Sequence, residues 1–75
     1  MNPRTHKILT MASEANMIVN EEEGSRYTIE RVDWDEHTIH VVDNMDEYSL
    51  HVNDICLETD RFYRLEPLDP TYEEN

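Results

Sequence analysis

From Arg26 onward, apolar residues recur at every second position, the period of a strand with one buried face. Tyr27 and Ile29 form the first such run, Ile39 and Val41 the second, and Tyr48, Leu50 and Val52 the third. Near Glu30 and Arg31 the phase slips, which brings Val32 and Trp34 onto the apolar side; one extra residue in the strand, a β-bulge, accounts for the slip. Asp35, Glu36 and His37 make a polar turn, and Asn44 to Glu47 make the next. Pairing Asp43 with Tyr48 across that four-residue loop sets Val41 against Leu50 and Ile39 against Val52, with Val42 the one apolar residue on the outer face. Ile55, Leu57, Phe62 and Leu65 supply a further strand or two, interrupted by a turn at Glu58 to Asp60, and Pro67 and Pro70 stop any ladder after Leu65.

Ahead of the alternating region the period is longer. Ile8, Met11, Ala12 and Ala15 recur at spacings of three and four, and Asn2 followed by Pro3 has the form of an N-cap with proline in the first turn. This predicts a helix over Pro3 to Ala15; the rival reading is a strand over Lys7 to Met11. Ala12, Glu14 and Ala15 favour the helix. Met17 to Val19 reads as a strand, and Asn20 to Gly24, with the only glycine of the chain, as an exposed connection. The expected fold is therefore α+β and mainly β: a small, strongly bent antiparallel sheet or an SH3-like barrel of about four to five strands, with the short N-terminal helix closing one end. Residues 1–68 form one domain in this reading, and residues 69–75 a frayed acidic C-terminal tail.

Length changes the picture by limiting the core. A chain of 75 residues buries roughly 60% of the surface it exposes when unfolded, so the core is thin. No stretch approaches the ~20 apolar residues of a membrane span, and Met1 to Thr10 lacks the basic start and apolar middle of a secretory signal, so a cytoplasmic protein is expected. Cys56 is the single cysteine, which excludes an internal disulfide; between Ile55 and Leu57 it is expected to be a buried small hydrophobe.

Charge is the strongest signal. Eighteen acidic residues against six basic ones give a net charge of −12, and no Lys or Arg occurs between Arg31 and Arg61. Such a chain repels nucleic acid and anionic membranes. Its partner is expected to be a protein, and one with a basic surface.

Catalytic and metal chemistry find little support. With Asp43 paired to Tyr48, His40 lies opposite His51 on the outer face, where two imidazoles could share a metal, but no third ligand has a defined spacing; His37 and His40 differ by an odd number of positions and point to opposite faces. The acids around Asp33 and around Asp43 do not match the full spacing of a calcium loop, and the only glycine, Gly24, lies outside both clusters. Ser13, Ser25 and Ser49 have no recognisable nucleophile setting, and a thin core leaves little room for a water-excluding cleft. No enzyme, no cofactor and no metal are expected.

Two functions fit. The first is an acidic inhibitor or nucleic-acid-mimicking decoy that occupies the basic surface of a nucleic-acid-binding enzyme, as small phage-encoded antagonists do. Asp33 and Asp35, two positions apart in a strand, would stand about 6.8 Å from each other in a regular row of charge. The second is an accessory protein-protein interaction module anchored by Trp34 and Tyr48, with the acidity serving solubility. Under either, the expected partner-binding residues are Asp33, Trp34, Asp35, Glu36, Asp43, Asp46, Glu47, Tyr48, Asp54, Glu58 and Asp60. The protein is expected to act as a monomer or, through an unpaired edge strand, a dimer.

Overall fold

The structure, a computed structural model, describes residues 1–65. Asn2 opens α1 (Pro3–Glu14): its side chain accepts a 2.7 Å hydrogen bond from the Thr5 amide, and Pro3 sits in the first turn, where its missing N–H costs nothing. Thr5, Ile8, Leu9 and Ala12 fall on one side of the helix and are buried. The Arg4 guanidinium donates to the carbonyls of Val52 and Ile55, pinning the first turn to a distant part of the chain. The helix, not the rival strand, is what forms.

Five strands follow: β1 (Met17–Asn20), β2 (Ser25–Asp33), β3 (Thr38–Asp43), β4 (Asp46–His51) and β5 (Asp60–Tyr63). All neighbours pair antiparallel in the order β4-β3-β2-β1-β5. Of the two architectures expected, the antiparallel sheet forms and the closed barrel does not. β5 returns to pair with β1, which leaves β4 and β5, among the described residues, as the two edges of an open sheet.

The bulge lies where the phase slip predicts it, with the β2–β3 register shifting between Ile29 and Arg31. The β3–β4 hairpin is tighter than expected. Asn44 and Met45 alone make the turn, with Asn44 at φ 57°, a left-handed conformation that asparagine tolerates. Asp43 consequently faces Asp46, Val41 faces Tyr48 and Ile39 faces Leu50. A register shift of two residues leaves every side chain on its expected face, because faces alternate with period two, while each cross-strand partner changes. Val52 leaves the strand altogether for a short 3-10 turn, Val52–Asp54, with its amide donating to the His37 carbonyl at 2.9 Å.

Ile18, Tyr27, Ile29, Val32, Ile39, Val41, Leu50 and Phe62 share one face of the sheet, and Ile8, Leu9 and Ala12 of α1 pack against it. Residues 52–59 must cross a face to connect the two edges. Val52 and Ile55 are buried in the same cluster, so they cross on the helix side and, with α1, complete the second layer. Ile55 and Leu57 thus serve the crossing instead of the expected strand. Cys56 is exposed and not buried, because neighbours in this irregular segment turn alternately to core and solvent. The other face, which carries Met17, Val19, Arg26, Arg31, His40 and Tyr63, has no layer over it among the described residues. No described helix is long and apolar enough to cross a membrane. The expected boundary at residue 68, the tail 69–75 and the stops at Pro67 and Pro70 lie outside the described residues.

Candidate functional site

Hairpin topology decides where the acids gather. Asn20 pairs with both Ser25 and Asp60, and Thr28 faces Val42, so the β1–β2 turn, the β3–β4 turn and the turn leading into β5 all emerge at one end of the sheet. Glu21, Glu22 and Glu23 come from the first of these turns, Asp43, Asp46 and Glu47 flank the second, and Glu58 and Asp60 belong to the third. Together they form an acidic rim. The glutamates of the first turn were not among the expected site residues, since Arg26 and Arg31 separate them in sequence from the acidic interval. Only the strand pairing, which folds Glu21 back beside Asp60, reveals them.

The rim is built by local hydrogen bonds. Gly24, at φ 76°, closes the first turn with its amide on the Asn20 carbonyl at 2.7 Å, a conformation that costs glycine little. The Asn20 side chain accepts from the Glu23 amide at 2.8 Å and donates to Asp60 Oδ1 at 2.9 Å. Asp60 Oδ2 accepts from the Cys56 amide at 2.9 Å, so this carboxylate braces two turns. Glu21 accepts from the Tyr63 hydroxyl at 3.0 Å and lies 3.7 Å from the Arg61 guanidinium, an exposed contact worth little energy. Asp54 comes from the 3-10 turn and not from one of the three rim turns, and with the rim acids Glu23 and Asp60 it borders a cleft of about 250 Å³ lined by Ile18, Tyr27, Leu50 and Ile55.

Asp33, Trp34, Asp35 and Glu36 lie at the opposite end of the sheet. Asp33 Oδ1 accepts from the amides of Asp35 and Glu36, each at 3.0 Å, and so shapes its own turn. The expected row of Asp33 and Asp35 along one strand does not form, because β2 ends at Asp33 and Asp35 is already in the turn. Trp34 is 39% exposed, and its ring meets His6 of α1 edge-on at 5.9 Å. Tyr48, 44% exposed, belongs to β4 near the rim and packs edge-on against Tyr27 at 5.8 Å. The two aromatic residues therefore do not share a patch.

Two phenols register the rim's negative field. Asp46 foremost, then burial and Asp43, raise Tyr48 above the usual tyrosine value. Tyr63 is raised first by its hydrogen bond to Glu21, since a phenolate there would face a carboxylate. Cys56 moves the other way. Hydrogen bonding from the Glu58 backbone, then from the Thr59 side chain and backbone, stabilises the thiolate and lowers this exposed thiol.

The histidine pair expected from the wider hairpin is not formed. His40 lies opposite Ser49, whose hydroxyl is 3.1 Å from its Nδ1, and His51 lies opposite Thr38 with its Nδ1 accepting from the Asn53 amide at 3.1 Å. His37, turned by a φ of 53°, brings its ring to 6.4 Å from that of His51 instead. Among the described residues no group of three or more His, Cys, Asp or Glu side chains is arranged to hold a metal ion. Comparison of the chain with protein-family models, with curated proteins and with solved structures returned no match.

Proposed function

We propose that the acidic rim binds a basic, nucleic-acid-binding surface of a partner protein, and that the chain acts as a small non-catalytic inhibitor or decoy in the cytoplasm, of the kind phages encode. The observation that supports this reading best is the convergence of three turns, with their eight carboxylates, at one end of the sheet. A groove built to hold phosphates attracts such a surface at long range. Glu21 meets Arg61 at 3.7 Å in an exposed contact, and the rim as a whole stays strongly negative. Asp33, Asp35 and Glu36 add to the overall field from the far end without joining the contact.

An accessory interaction module anchored by Trp34 and Tyr48 is the second reading, motivated by the partial exposure of both rings. Each ring already has an intramolecular partner, His6 for Trp34 and Tyr27 for Tyr48, and they lie apart, which weakens it as a joint anchor. Capture of proteins from a lysate at low salt, followed by a salt gradient and by added duplex DNA, separates the two readings. A nucleic-acid-binding partner released by both salt and DNA supports the decoy. A partner that withstands both, and is lost on Trp34→Ala or Tyr48→Ala, supports the module and removes the decoy.

A further inference from the structure

The two edges of the sheet differ in what they leave open. β5 is four residues long; the Asp60 amide already donates to the Cys56 carbonyl at 2.7 Å, and Arg61 Nη1 donates back to the Leu57 carbonyl at 2.6 Å. The turn before β5 thus guards that edge. β4 runs for six residues with nothing across it among the described residues. Its hairpin closes on the pair Asp43 and Asp46, and the Val52 amide bonds the His37 carbonyl, so Asp46, Tyr48, Leu50 and Val52 spend their backbone groups on β3. Glu47, Ser49 and His51 point theirs outward.

We propose that this edge pairs with β4 of a second copy of the chain, antiparallel and centred on Ser49, to make one continuous sheet of ten strands. In that register Glu47 meets the second copy's residue 51, a histidine, twice, once on each side of the axis, and Ser49 meets its own equivalent. These are the outward-bonding residues, so their backbones complete the ladder. Tyr48 meets residue 50 of the second copy, a leucine, on the helix-covered face, where Tyr48 is 44% exposed at the uncapped margin of the core. Shifting by two residues in one direction sets Asp46 against Leu50; shifting in the other leaves Glu47 and Tyr48 unpaired. Only the register centred on Ser49 matches acid with imidazole and apolar with apolar across the whole strand. The two acidic rims then project at opposite ends of the joined sheet. This pairing stands independently of what the rims bind.

Sedimentation equilibrium at physiological salt, which screens repulsion between two chains of charge −12, is expected to give twice the 9.0 kDa chain mass. Ser49→Lys sets two ammonium groups face to face on the axis and is expected to raise the dissociation constant at least about tenfold, with the circular dichroism spectrum unchanged. In a Cys56→Ser background, Ser49→Cys is expected to be joined between copies by a short bismaleimide, while Glu30→Cys, on the β2 bulge, is not. A wild-type mass of 9.0 kDa across the concentration range overturns the proposal. So does a dimer that tolerates Ser49→Lys and leaves Ser49→Cys unlinked.

Discussion

The two ends of the sheet carry the same residue types and use them differently. At the end formed by the β2–β3 turn, Asp33 spends its carboxylate on the amides of Asp35 and Glu36, and Trp34 leans on α1. At the rim, three turns converge, and Asp60 and Glu21 are tied to donors from neighbouring elements, Asp60 to Asn20 and Cys56 and Glu21 to Tyr63. Acidic density on the folded surface therefore follows strand pairing more than sequence proximity. Glu22 and Asp46 are 24 positions apart in the chain, yet they flank neighbouring turns at one end.

Substitutions at the two ends sharpen the contrast, beginning with the residue that braces the rim. Asp60→Ala strands the Cys56 amide and frees the Asn20 side chain, and is expected to cost about 2 kcal/mol in urea denaturation. At the other end, Asp33→Ala removes the acceptor for two turn amides that water can reach, with an expected cost of about 1 kcal/mol by the same measurement. If Asp33 proves the costlier of the two, the rim is not the more interdependent end.

The next effects are titrations. Asp46→Asn is expected to lower the Tyr48 phenol, and Glu21→Gln to lower that of Tyr63, each followed by ultraviolet absorbance. Both folded-state values lie above the unfolded one, so the stability these phenols contribute is intact below the usual tyrosine value and is lost as pH rises through the folded values. Unmoved titrations in both variants would remove the rim field as their cause. Smallest is the thiol: the alkylation rate of Cys56 is expected to reach half its plateau at a pH below that of a free cysteine, and a midpoint at or above it would contradict the hydrogen bonding from Glu58 and Thr59.

Much of the fold was legible because it rests on period. The run from Ile39 to Val41 and the helix cap at Asn2 and Pro3 are local patterns, and the bulge at Glu30 shows as a change of phase. Hairpin partners were less legible. A two-residue and a four-residue loop both keep Val41 and Leu50 on the same face, and the choice rests on Asn44 accepting a positive φ. That one difference separates His40 from His51. The path of residues 52–59 was illegible for another reason: Ile55 and Leu57 alternate as a strand would, but β5 pairs with β1, so the segment has to cross the core. Of the expected site, Asp43, Asp46, Glu47, Glu58 and Asp60 fall together at the rim, while Asp33, Trp34, Asp35 and Glu36 fall opposite.

The central claim is that binding resides at one end. Its most direct test is the affinity, at low salt, of the captured partner for three chains: wild type, a rim variant with Glu22→Lys, Glu23→Lys and Asp46→Lys, and an opposite-end variant with Asp35→Lys and Glu36→Lys. The rim variant is expected to bind about a hundredfold more weakly, and the opposite-end variant less than about threefold more weakly. Equal losses per charge reversed at the two ends would mean that net charge alone drives binding, and the rim would not be a site.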